Sequence, residues 1–116
     1  MKIQEVFDQY LEKIKKAMVV ALADDEGEII LYSYDEDRIS DEDVRLFAAH
    51  VVHTMAKKIN GKESREIFLY NDKNAVFAKK LKDNLVILIV FEGRSFRGYA
   101  DLYAEEIIEK VEEEFF

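Results

Sequence analysis

Two stretches of this sequence constrain its fold more than any other: Val19-Val20-Ala21-Leu22-Ala23 and Leu85-Val86-Ile87-Leu88-Ile89-Val90-Phe91. Neither contains a polar side chain. Successive side chains of a strand point to opposite faces, so a strand with one wet face alternates, and an unbroken apolar run needs cover on both sides. These runs are read as the two central strands of a sheet with both faces buried.

The remaining elements follow from periodicity. Ile3, Val6, Phe7, Tyr10, Leu11 and Ile14 recur every three or four residues, with Lys2, Glu5, Asp8, Glu12 and Lys13 between them, which predicts an amphipathic helix. The apolar segment Ala17 to Ala23 is followed by Asp24, Asp25, Glu26 and Gly27, a turn, and then by Glu28 to Tyr34, so the two strands form a hairpin. Ser40 followed by Asp43 resembles a capping box. Behind it Val44, Phe47, Ala48, Val51, Val52, Met55 and Ile59 form the stripe of a long central helix that stops at Asn60 and Gly61. Strands are expected over Arg65 to Tyr70, Ala75 to Leu81 and Leu85 to Phe91, joined by short turn-type links. A loop from Glu92 to Phe96 leads into a last helix carrying Ala100, Tyr103, Ala104, Ile107 and Val111 on one face and glutamates on the other. With no repeat and no linker, the chain reads as one domain over 1–116.

Placing the two unbroken runs at the centre gives an α/β (α+β) fold, α-β-β-α-β-β-β-α, with an antiparallel sheet in the order 2-1-5-4-3 and helices on both faces. Five strands span about 24 Å and one helix covers about 10 Å of that width. If the terminal helices share one face, the central helix alone shields the other, and half of that face is expected to be bare unless a second copy covers it. The third strand is expected at an open edge, where Glu66, Phe68 and Tyr70 belong to a segment able to pair with a twin. On the central helix, Leu46, Ala49, His50 and His53 lie away from the sheet-facing stripe and permit close approach of another helix.

Composition removes several classes of function. A net charge of −8 repels phosphate backbones, so nucleic-acid binding is not expected. No segment approaches the roughly 18 apolar residues of a membrane span, and the charged start lacks the apolar block of a signal peptide. With no cysteine there is neither disulfide nor thiolate chemistry, which makes the cytoplasm the expected compartment.

The order of elements, the hairpin VVALADDEGEIILYS, the helix from Ser40 to Asn60 and the meander REIFLYNDKNAVFAKKLKDNLVILIVFEG resemble the roadblock/LC7 family over most of the chain. The Asp24-x-x-Gly27 turn and the Asp83-Asn84 turn before the last strand are the most specific points. The resemblance implies a non-enzymatic homodimer, with third strands joining two sheets and central helices paired. It also implies, for a single-domain member, a small Ras-like GTPase as partner and no cofactor. The alternative is a small-molecule sensory domain of PAS or GAF type, which needs an internal pocket.

Candidate chemistry is sparse. His50 and His53, three apart on a helix, have a spacing at which two imidazoles can share a face, but no third zinc ligand is set by spacing, and two partly exposed histidines at a helix contact are the expected reading. Arg94, Ser95 and Arg97 precede the last helix, where backbone N–H groups and two guanidinium groups suit an anion. No nucleophile has a base at a recognisable spacing, and the carboxylates occupy a turn or a helix exterior.

Overall fold

The computed structural model describes residues 2–57, 66–70, 73–93 and 97–115. The first helix, α1 (Ile3–Lys13), leads into the hairpin β1 (Ala17–Ala23) and β2 (Ile29–Tyr34), then α2 (Asp41–Ala56), β3 (Glu66–Tyr70), β4 (Asn74–Lys80), a 3₁₀ turn at Lys82–Asn84, β5 (Val86–Glu92) and α3 (Arg97–Phe115). The sheet is antiparallel with the order β2-β1-β5-β4-β3. Both apolar runs therefore hold the central positions, as their lack of alternation requires.

Each face has its own core. α1 and α3 bring Phe7, Tyr10, Ile107 and Val111 onto Val20, Leu22, Ile87, Ile89 and Phe91. On the opposite face α2 sets Val44, Ala48, Val51, Val52 and Met55 against Val19, Ala21, Ala23, Leu88 and Val90. Burying each Leu- or Ile-sized side chain contributes about 1.5–3 kcal/mol, so the fold rests chiefly on these two layers. One irregularity adjusts them. Between Ala17 and Val19 the register of β1 against β5 slips by one residue, and this bulge sends Met18 to the α2 core together with its neighbour Val19.

The elements end where local chemistry ends them. Ser40 Oγ accepts the Asp43 N–H at 3.1 Å and caps α2. Asp83 and Asn84 turn the chain between β4 and β5 with φ of 57° and 60°, a region their short polar side chains tolerate better than most. In the β1–β2 turn, Asp24 Oδ1 accepts the N–H groups of Glu26 and Glu28 at 2.9 and 3.0 Å, while Gly27 takes a φ of 87°.

Three sequence expectations are corrected. Ile14 is buried but lies in extended backbone beyond α1, so it packs as a linker residue and not as part of the helical stripe. α3 begins at Arg97, directly after the loop expected to end at Phe96, so Arg97 opens the helix where the sequence reading had it just ahead. The helical part of the central segment runs to Ala56; Ile59, Asn60, Gly61 and Arg65 lie outside the described residues. The α2 face is also better covered than helix width suggests: Ile67, Val76, Ala78, Val86 and Leu88 are all buried within a single chain. Met18, Ile39, Phe47 and Met55 join the same cluster and extend the cover sideways from the helix, so coverage alone does not require a second copy. Among the described residues no helix is long and apolar enough to cross a membrane.

Candidate interaction surface

The outer face of α2 carries the residues that the sequence put there. With Val44, Ala48, Val51 and Met55 buried, Leu46, Ala49, His50 and His53 are exposed, Leu46 to 61%. Ala49 has an internal reason to be small. A Cβ on Gly27 would lie 2.8 Å from the Ala49 Cα, so the hairpin turn packs directly on the helix backbone, and the pair Gly27 and Ala49 locks β2 beside α2. The two histidines stay isolated: among the described residues no group of three His, Cys, Asp or Glu side chains gathers to hold a metal ion.

The two sheet edges differ. β3 pairs with β4 through five consecutive positions, from Glu66 opposite Lys79 to Tyr70 opposite Ala75, without a register shift. Its Ile67 is buried in the α2 core and its Glu66 is exposed, while the side chains of Phe68 and Tyr70 lie outside the described residues. β2 is irregular. Its register against β1 shifts between Leu31 and Ile29, leaving Ile30 at the bulge, 47% exposed. α1 guards it: Gln4 Nε2 donates to the Tyr32 carbonyl at 3.0 Å, and Ser33 Oγ donates to Asp8 at 2.6 Å. A strand carbonyl occupied in this way is not open to another strand.

Two polar clusters were not foreseen. The Tyr32 hydroxyl donates to Asp41, Arg45 Nε donates to the other Asp41 oxygen at 2.9 Å, and the Arg45 guanidinium lies 5.5 Å from the centre of the Tyr32 ring, which in turn stacks on Tyr34 at 5.3 Å. The hydrogen bond to Asp41 raises the Tyr32 phenol above its ordinary pKa; the bonds from Tyr32 and Arg45 hold the Asp41 carboxyl below the usual range. Arg38, half-buried, donates to Asp35 at 2.6 Å, to Glu92 at 2.9 Å and to the Ala17 carbonyl beside the β1 bulge at 2.9 Å. Burial would lower its pKa, but the bonds to Asp35 and Glu92 outweigh that and raise it, and Arg38 in turn lowers Asp35. Two of these pairs are local in sequence, Asp35 with Arg38 three apart and Asp41 with Arg45 four apart; Tyr32 and Asp41, Arg38 and Ala17, and Arg38 and Glu92 are 9, 21 and 54 residues apart.

Beside the start of α2 a solvent-open cleft of about 700 Å³ is lined by Lys16, Met18, Arg38, Phe47 and Glu92 among others. Its mixed lining and its one described arginine, already held by two carboxylates, make it a groove between elements and not an enclosed ligand chamber. Of the expected anion site, Arg94 and Ser95 lie outside the described residues. Arg97 is the first residue of α3, and its side chain is also outside them. The acidic residues behave as solvated or structural groups: Asp24 caps its own turn, and Glu105, Glu106, Glu109 and Glu112 are exposed on α3.

No family model matches the sequence, and no curated protein matches it. Solved structures do. MglB of Myxococcus xanthus is 23% identical, with 99% of this chain and 95% of that one aligned at a TM-score of 0.75. An MglB with a tetrameric arrangement is 15% identical over 92% of this chain and 82% of its own, TM-score 0.74. A roadblock/LC7 domain from Streptomyces avermitilis is 11% identical over 97% and 96%, TM-score 0.74. Identity at this level speaks for architecture alone, and with the observed strand order it leads to one conclusion: the chain has the roadblock/LC7 domain fold.

Proposed function

We propose that this protein is a non-enzymatic interaction module that associates with a second copy of itself and binds and regulates, or scaffolds, a small Ras-like GTPase in the cytoplasm. In this reading a second copy joins along β3, at Glu66, Phe68 and Tyr70. The outer face of α2, at Leu46, Ala49, His50 and His53, is the surface for that copy or for the GTPase partner. The observation that carries the reading is the difference between the edges: one strand is bulged and capped by α1, while the other runs five pairs without interruption. A regular edge is a ready template for another strand. The fold shared with MglB structures supports the GTPase as the partner class, as does the sequence resemblance.

A sensory domain of PAS or GAF type is the rival reading. The filled sheet counts against it, since Val19 to Ala23 and Ile87 to Phe91 are fully buried, with helices packed on both sides. Light scattering at micromolar concentration is expected to return twice the 13.6 kDa chain mass. Pull-downs with small GTPases of the same organism, loaded with GDP or a GTP analogue, are expected to show nucleotide-dependent capture. A mass of one chain, with no GTPase retained, rejects the proposal; a thermal-shift response to small metabolites supports the rival.

A further inference from the structure

We infer that the margin formed by β2 and the N-terminal half of α2 is a docking surface for a basic face of another protein. The inference rests on reading the chain as an interaction domain and not on the partner being a GTPase. It starts from an unpartnered apolar face. Ile30 and Leu46 are the only large hydrophobic side chains strongly exposed among the described residues. They lie on neighbouring elements. Asp41 and Arg45 meet Tyr32, and Ala49 backs onto Gly27, so α2 runs alongside β2 and Ile30 lies level with the helical turn that carries Leu46. The bulge explains why Ile30 is out of the core, and no packing requirement keeps Leu46 apolar. Tyr32, Tyr34 and Arg45, held together by stacking and hydrogen bonds, belong to the same two elements, and such pre-ordered tyrosine and arginine side chains are common interface anchors.

Charge identifies the occupant. Residues 24–43 contain ten acidic residues and one arginine, a net charge of −9, whereas the other 96 residues contain fifteen acids and sixteen bases, a net charge of +1. The whole negative charge of the chain is thus concentrated in the β1–β2 turn, the connection from β2 to α2 and the first turn of α2, on either side of the uncharged strand β2. Two such margins facing one another repel, and the rest of the chain has no comparable excess of positive charge to offer in exchange. A second copy is therefore the wrong occupant, and a basic partner surface the right one. The apolar centre would supply affinity and the acidic rim would steer approach. α3 provides an internal control: Glu105, Glu106, Glu109, Glu112 and Glu113 are exposed there, without an exposed large apolar residue among the described ones.

The test uses the full chain and a short synthetic amphipathic helix of lysine and leucine as the basic probe. Amide shifts on titration are expected between Glu28 and Leu46 and not on α3, and the Ile30→Ala, Leu46→Ala double variant is expected to bind about tenfold more weakly. Reversal of Glu36, Asp37 and Glu42 to lysine should abolish binding, whereas reversal of Glu105, Glu109 and Glu112 to lysine, the same change in net charge, should leave it within about twofold. Shifts spread equally over α3, or equal loss from both reversals, would overturn the inference. Repeating the reversals with a captured GTPase separates the two readings. Capture that ignores the β2 margin rejects this surface and keeps the GTPase, while peptide binding without any GTPase capture does the opposite.

Discussion

The two edges of this sheet solve the same physical problem in different ways. Among the described residues, neither β2 nor β3 has a strand beyond it in the sheet. β2 is closed by a bulge, by the Gln4 side chain on its Tyr32 carbonyl, by Asp8 on Ser33 and by a turn pinned to α2 through Gly27. β3 keeps a straight ladder. The contrast teaches that edge protection here is local and built from side chains of particular elements, so an edge without such a device is a place where association can be designed in or removed.

The largest effect is expected from a lysine in the middle of each edge. Phe68→Lys should weaken self-association about a hundredfold, because a charge on an edge strand blocks pairing, and Ser33→Lys should leave the mass unchanged. Light scattering across a dilution series checks both, and equal behaviour of the two variants breaks the comparison. Next comes Gly27→Ala, which forces a side chain into a positive-φ position 2.8 Å from the Ala49 backbone. A loss of about 2 kcal/mol in denaturant unfolding is expected, since strained backbone and a backbone clash add.

Acid should act on the β2 side. Asp35 and Asp41 have carboxyls held below their ordinary values by Arg38 and by Tyr32 with Arg45, respectively. A carboxylate depressed in the folded state contributes stability that is complete above the unfolded pKa of about 4 and is lost as pH falls through the lower folded value. Tyr32 has the opposite sign: its raised phenol contributes below about pH 10, and that contribution disappears as pH rises through the higher folded value. Melting temperatures from pH 2 to 6 should therefore fall less steeply in Asp35→Asn than in the parent chain. The smallest effect is that of Gln4→Ala, about 1 kcal/mol or less, with a slight rise in higher-order species if the Tyr32 carbonyl was being guarded.

Much of this fold was legible in the sequence because its signals are short in range. The absence of alternation in Val19 to Ala23 and Leu85 to Phe91 suffices to place those strands at the centre, and the stripe on α2 suffices to expose Leu46, Ala49, His50 and His53. The width estimate failed for a reason that periodicity does not contain: a bulge redirected Met18, and Ile39 came in from a connection to close the α2 face. Arg38 went unnoticed because nothing near it in sequence announces a bond to Glu92 or to the Ala17 carbonyl.

By itself, then, the sequence determined the order of elements, the two central strands and the division of α2 into a buried and an exposed face, since each depends on side-chain spacing within a few residues. The tertiary structure alone decided which carbonyl Gln4 occupies, which carboxylates Arg38 holds and that Gly27 meets Ala49. Those pairings join residues brought together only after the apolar layers have packed, and with them came the distinction between a guarded edge and a regular one.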